Sequence, residues 1–169
     1  MTDQAQIDDL MAQPEAKRLA WLRRLSFEER EEFNHVWPLW ARTAQLPPPG
    51  DWQLWLILAG RGFGKTRAGA EWIRDIAERD PTARIALVGA SLGEVRSVMV
   101  EGESGLLSIG LPGQRPQFEP SLRRLVWPTG AMATLYSAGE PESLRGPQHS
   151  HARRAGTERI VSQRKSRPD

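Results

Sequence analysis

The chain has 169 residues, a net charge of +2, 39% hydrophobic residues and no cysteine. That length suits one domain with a real core, and the missing cysteines exclude disulfides, thiolate metal sites and cysteine nucleophiles. There is no apolar run of bilayer length and no basic-then-apolar leader, so no membrane association and a cytoplasmic location are expected, and the three histidines (His35, His149, His151) lack metal-ligand spacing.

Residues 3–12 and 14–25 read as helices, the second with Pro14 at a first-turn position and Leu19, Trp21, Leu22 and Leu25 along one side. Ser26, followed three residues later by Glu29, is a capping box that opens a third helix running to about residue 40, which Pro38 is expected to kink or end. Pro47, Pro48, Pro49 and Gly50 make a stiff linker. Residues 1–46 are therefore read as a helical segment, 47–50 as a linker, and the main domain starts at 51. Trp37, Trp40, Trp52 and Trp55 flank the linker. Packing of the segment onto a sheet is favoured for them over nucleic-acid stacking.

The run LWLIL at 54–58 is continuously apolar, as for a central parallel strand covered on both faces. It leads into AGRGFGKT at 59–66, the pattern of a nucleotide-phosphate loop with Ala59 in place of the usual first glycine. Gly60, Gly62 and Gly64 permit backbone angles that turn successive N–H groups inward toward phosphate oxygens. Residues 66–79 read as a helix whose N-terminal dipole adds to the attraction. In this pattern Lys65 reaches the β- and γ-phosphates and the Thr66 hydroxyl ligates Mg²⁺, so the expected cofactors are ATP and Mg²⁺.

Residues 84–90 read as a second buried strand, and Ser91 with Glu94 forms another capping box opening a helix to about residue 100. Residues 122–127 and 131–137 are predicted to form a β-hairpin around Pro128, Thr129 and Gly130. The order predicts an α/β fold, a partial P-loop nucleotide-hydrolase domain with a parallel sheet core, an added hairpin and the N-terminal helical segment.

The segment AGRGFGKTRAGAEWIR (59–74) resembles the ATPase motif of large terminase subunits, the DNA-packaging motors of tailed phages, prophages and gene-transfer-agent particles. Three further segments agree: EVRSVMVEGESGLL (94–107), RRLVWPTG (123–130) and SAGEPESLRGPQ (137–148), so the resemblance covers about residues 20–148. It implies an ATPase domain followed by a nuclease domain in a bacterial host cell, acting on double-stranded DNA with a small terminase subunit and a portal ring. By position it implies phosphate and Mg²⁺ roles for Lys65 and Thr66, and a catalytic role in cis for Arg61, a fixed cation near the γ-phosphate. Arg145 matches a segment just ahead of the family's second catalytic motif, where coupling and a simple loop turn are equally open.

That second motif, an apolar strand ending in an Asp-Glu pair, is missing after Gln148. Glu140 and the end of the 84–90 strand are unconvincing substitutes. Residues 151–169 carry six basic and two acidic residues, a net +4 against +2 for the whole chain. Family-like sequence stops near Ala152. Residues 51–152 are thus read as a partial ATPase domain and 153–169 as a basic, disordered tail, left by truncation or a shifted reading frame, with a genuine short protein carrying an evolved basic tail as the competing expectation. Negligible hydrolysis is expected. The competing classes are a non-enzymatic decoy binding DNA or terminase partners, and an unrelated P-loop kinase, which should bring its own acid and acceptor pocket.

Overall fold

The computed structural model describes residues 9, 12–146, 148–154 and 158–162, with residues 18 and 158–162 described by backbone alone. The chain divides into two units, Met1–Ala41 and Arg42–Asp169.

In the first unit, α1 spans Glu15–Arg24, and Pro14 is its N-cap rather than a first-turn residue. Helix α2 (Phe27–Asn34) starts with the predicted capping box. Ser26 Oγ accepts from the Glu29 N–H at 3.2 Å while Glu29 Oε2 accepts from the Ser26 N–H at 2.8 Å. Those bonds hold the Glu29 carboxyl below its ordinary pKa. The helix expected to reach residue 40 stops at Asn34. A one-turn helix α3 (Trp37–Trp40) follows, with Pro38 in its first turn, where the missing N–H costs no intrahelical bond. Trp21, Phe33 and Trp40 stack in sequence at centroid distances of 5.5 and 6.0 Å. Of the predicted helix 3–12, Asp9 and Ala12 are helical and the rest lies outside the described residues.

The second unit holds β1 (Leu54–Ile57), α4 (Lys65–Arg79), β2 (Arg84–Gly89), the short α5 (Leu92–Glu94), β3 (Gln117–Glu119), β4 (Arg124–Val126), β5 (Met132–Ser137), β6 (His151–Arg154) and β7 (Glu158–Ser162). They form one sheet in the order β1-β7-β6-β2-β5-β4-β3. Its centre, β6-β2-β5, is parallel and the flanking pairs are antiparallel. The fold is α/β, as predicted. Strand β2 is central because Ile85, Ala86 and Leu87, three consecutive residues, are all buried, so both its faces are covered. The predicted hairpin forms between β4 and β5, closed by the Trp127 N–H donating to the Ala131 carbonyl, with Gly130 at φ +103°.

The helix expected over 91–100 is capped by Ser91 Oγ, but Glu94 Oε2 accepts from the Ala90 N–H instead of from Ser91. After Glu94 it widens to a π-helical turn, Val95–Val100, burying Val95, Met99 and Val100. Gly89 makes room for it, since a Cβ there would lie 2.6 Å from Val95 Cγ2. Among the described residues no helix is long and apolar enough to cross a membrane.

Two expectations are corrected. Strand β1 is not central and parallel: it is an edge strand, antiparallel to β7, with Leu54 opposite Val161 and Ile57 opposite Glu158. Only one of its faces is covered. Trp55 and Ile57 are buried, whereas Leu54, Leu56 and Leu58 are 55, 42 and 73% exposed. A continuous apolar run cannot reveal that alternation, because the outward positions are as apolar as the inward ones. The stretch beyond Ala152 is not the strandless tail its composition predicts: β6 reaches Arg154 and β7 spans Glu158–Ser162. The adjacent β-branched residues Ile160 and Val161 suit a strand, a local signal hidden by the basic composition around them. Residues 155–157 and 163–169 lie outside the described residues.

Candidate phosphate-binding site

Strand β1 ends at Ile57, residues 58–64 form a loop, and α4 begins at Lys65. Gly64, the N-cap of α4, has φ +86° and Gly62 has φ +79°, left-handed angles that L side chains rarely adopt. Space beside Gly60 and Gly62 is open, with no heavy atom within 4 Å of where a Cβ would stand. Lys65 folds back over the loop and its Nζ donates to the carbonyls of Ala59 (3.0 Å) and Gly60 (2.9 Å). Arg61 is exposed at the loop tip, and Thr66 is half-buried in the first turn of α4.

The loop is anchored from two distant segments. Gln45, at the end of a 3-10 turn (Thr43–Gln45), donates from Nε2 to the Phe63 carbonyl at 2.7 Å. The Arg42 guanidinium lies 5.8 Å over the Phe63 ring. From β6, buried Arg153 donates from Nη2 to the Thr66 carbonyl at 3.0 Å. Sequence reasoning missed all three residues. Nothing at sequence level marks Gln45, and Arg153 was assigned to the tail.

Helix α4 is seated by a buried charge network and an aromatic row. Glu71 accepts from Arg67 and Arg74, each at 2.7 Å, and Arg74 also reaches Glu78 at 3.0 Å. Burial opposes the charged Arg74 guanidinium, but Glu71 and Glu78 outweigh it and raise its pKa. Burial raises the Asp75 carboxyl against the pull of Arg79 and Arg74, and raises Glu78 against Arg74. Trp52 contacts both Trp55 and Trp72 at 6.0 Å, and Trp72 meets His151 of β6 at 5.7 Å. Trp52 and Trp55 therefore serve packing within this unit. Beside β6, His149 Nε2 lies 3.1 Å from the Tyr136 hydroxyl. Burial lowers the pKa of His149 and of His151, the latter partly offset by Asp80, and raises that of Tyr136.

The remaining predicted residues lie apart from this cluster. Arg145 closes the 3-10 turn Pro141–Leu144 and pairs with Glu142 at 2.9 Å, both side chains well exposed. Glu140 is exposed at the start of that turn. Strand β2 ends at Gly89 and β6 ends at Arg154, so neither carries an acid at its C-terminal end. Among the described residues no group of three or more His, Asp or Glu is arranged to hold a metal ion.

An α/β sheet with a glycine-rich loop joining its edge strand to a long helix defines the class of domain. Residues 56–152 match the family described as terminase large subunit, T4likevirus-type, N-terminal. The match covers more than half of the chain, which therefore belongs to this family of phage DNA-packaging proteins. No curated protein and no solved structure matches the chain.

Proposed function

We propose that residues 59–66 bind the phosphates of ATP and that the domain is part of the ATP-driven motor that packages double-stranded DNA. The observation that carries this reading is Lys65, whose ammonium bridges the Ala59 and Gly60 carbonyls inside a loop held open by left-handed Gly62 and Gly64. An ammonium held there by neutral carbonyls gains more from phosphate oxygens. The open space at Gly60 and Gly62 fits a polyphosphate against backbone. Mg²⁺ would arrive on the nucleotide, neutralising charge between its phosphates, and Thr66 would add a hydroxyl ligand. Arg61 would place a cation on the γ-phosphate side.

Membership of a DNA-packaging family supports DNA as a partner in general; a small terminase subunit and a portal ring are the specific partners this reading adds. Hydrolysis by these 169 residues should be negligible, because β6 ends in Arg154 where a strand carrying the second motif would end in acid. The test is calorimetric titration of the chain with Mg-ATP, beside Lys65→Ala. Loss of roughly tenfold or more in affinity, about 1.4 kcal/mol, is expected. Equal binding by the variant overturns the reading.

A further inference from the structure

We infer that the phosphate loop takes metal-free polyphosphate, with the buried Arg153 guanidinium supplying beside the loop the positive charge that a divalent cation would otherwise bring. The inference rests on the reading of 59–66 as a phosphate loop. Strand β1 is antiparallel to β7, and β7 to β6, so β1 and β6 run the same way and end at the sheet edge from which the loop leaves. Open α/β sheets take ligands at that carboxyl edge. Arg153 is the last residue but one of β6 and is 1% exposed. Its Nη2 donates at 3.0 Å to the carbonyl of Thr66, the second residue of α4. That carbonyl lies within about one helical turn, roughly 5 Å, of the helix start that faces the loop.

The charged side chains described at the loop are of one sign. Lys65 is held by the neutral carbonyls of Ala59 and Gly60, Arg61 stands at the loop tip, and Arg153 donates to a third neutral carbonyl. The acid of α4 nearest its start, Glu71, is taken by Arg67 and Arg74. Neither β2 nor β6 ends in an acid. Mg²⁺ is held through hard oxygen ligands, carboxylates above all, and Thr66 carries the only side-chain oxygen in residues 59–66. Stripping Mg²⁺ from a polyphosphate leaves the ligand more negative by two charges, which fixed cations attract more strongly. A buried guanidinium is little screened by salt and needs no reorganisation to act. Mg²⁺ on the nucleotide is therefore tolerated here but not required.

The experiment titrates the full chain calorimetrically with ATP and with inorganic tripolyphosphate, each in Mg²⁺ and in EDTA. For both ligands the affinity in EDTA should equal or exceed that in Mg²⁺. Arg153→Gln and Arg153→Met, one polar and one apolar neutral replacement, should each lose about tenfold in EDTA and less in Mg²⁺, so that binding becomes metal-dependent. The two leave different groups buried, and either one that folds carries the comparison. Arg153→Lys, which keeps the charge, should keep the parent's ratio. A purely structural role would lower both affinities together, and an unmoved ratio in the neutral variants overturns the inference. So does a lysine variant that behaves like the neutral pair. A parent chain that loses tenfold or more in EDTA also overturns it, while leaving the phosphate reading intact. Absence of binding in both conditions would instead bring down the phosphate reading, and the metal-free site with it.

Discussion

Arg153, only 1% exposed, donates from Nη2 to the carbonyl of Thr66 at 3.0 Å, tying β6 to the first turn of the helix that follows the glycine loop. The bond spans 87 residues of sequence and joins an outer strand of the parallel core to the candidate site. A helix start anchored in this way holds Lys65 and Thr66 where the loop delivers them.

Removing that guanidinium should therefore be costly. Arg153→Ala deletes a charge-assisted bond and leaves a cavity, so a loss of about 2–4 kcal/mol is expected in urea unfolding. Its exposed neighbour provides the control: Arg154→Ala should change stability by no more than about 0.5 kcal/mol. Equal effects of the two substitutions would mean that Arg153 does not anchor α4.

Gly64→Ala forces a side chain into a left-handed position and against Gln45 Nε2. The backbone strain alone costs about 1–2 kcal/mol, and relief by shifting the loop should weaken nucleotide binding further. Gly113→Ala is the matched control, having no positive φ and nothing within 4 Å of the added Cβ. The melting temperature of each variant, with and without Mg-ATP, reads both effects. A Gly64 variant as stable and as responsive to ATP as the Gly113 variant contradicts the argument.

The histidines give a pH dependence whose sign is fixed. Burial lowers the pKa of His149 and His151 below 6.5, so the folded state binds fewer protons than the unfolded chain. Their contribution is present above 6.5 and is lost as pH falls through the lowered folded values. Asp75 and Glu78, raised by burial, act oppositely but nearer their ordinary values of 3.8 and 4.5. Between pH 7 and 5.5 the melting temperature should drop, and His149→Gln with His151→Gln should flatten that slope. A slope unchanged in the double variant refutes the assignment.

Much of this architecture was legible from local signals. The glycine loop, the capping box at Ser26, the Ser91 side-chain cap, the β2 strand and the hairpin at Gly130 each depend on residues a few positions apart. Long-range pairing was not legible. Whether 54–58 lies at the centre or the edge depends on what pairs with it, and the partner is residues 158–162, about a hundred positions away. Gln45 and Arg153 escaped for the same reason, since a buried polar side chain is defined by the remote carbonyl it meets.

The edge strand also predicts solution behaviour. Leu54 and Leu56 on β1, with Leu58 just beyond its end, are exposed apolar residues, and the second edge of β1 has no paired strand among the described residues. Such an edge is a template for pairing between molecules. Leu56→Lys should suppress concentration-dependent light scattering while changing stability by less than about 1 kcal/mol, because the side chain already faces solvent. On the opposite face, Trp55→Ala should cost about 3–5 kcal/mol by emptying a buried site against Trp52. Scattering that persists in Leu56→Lys at unchanged stability would locate the association elsewhere.

Hydrolysis supplies the final prediction. Catalysed attack on a γ-phosphate needs a group that orients water and an acid that helps hold the metal, worth several orders of magnitude in rate. Residues at the ends of β2 and β6 provide neither, and the Glu94 carboxylate is occupied by the Ala90 N–H. Mg-ATP should therefore bind without turnover, with phosphate release at background and equal for the parent chain and Lys65→Ala, while affinity separates the two. Steady release that Lys65→Ala abolishes would show that an acid elsewhere in the chain completes the site. Binding without turnover would instead leave a nucleotide holder whose water-activating half is missing from these residues, with Lys65 and Gly64 setting its affinity.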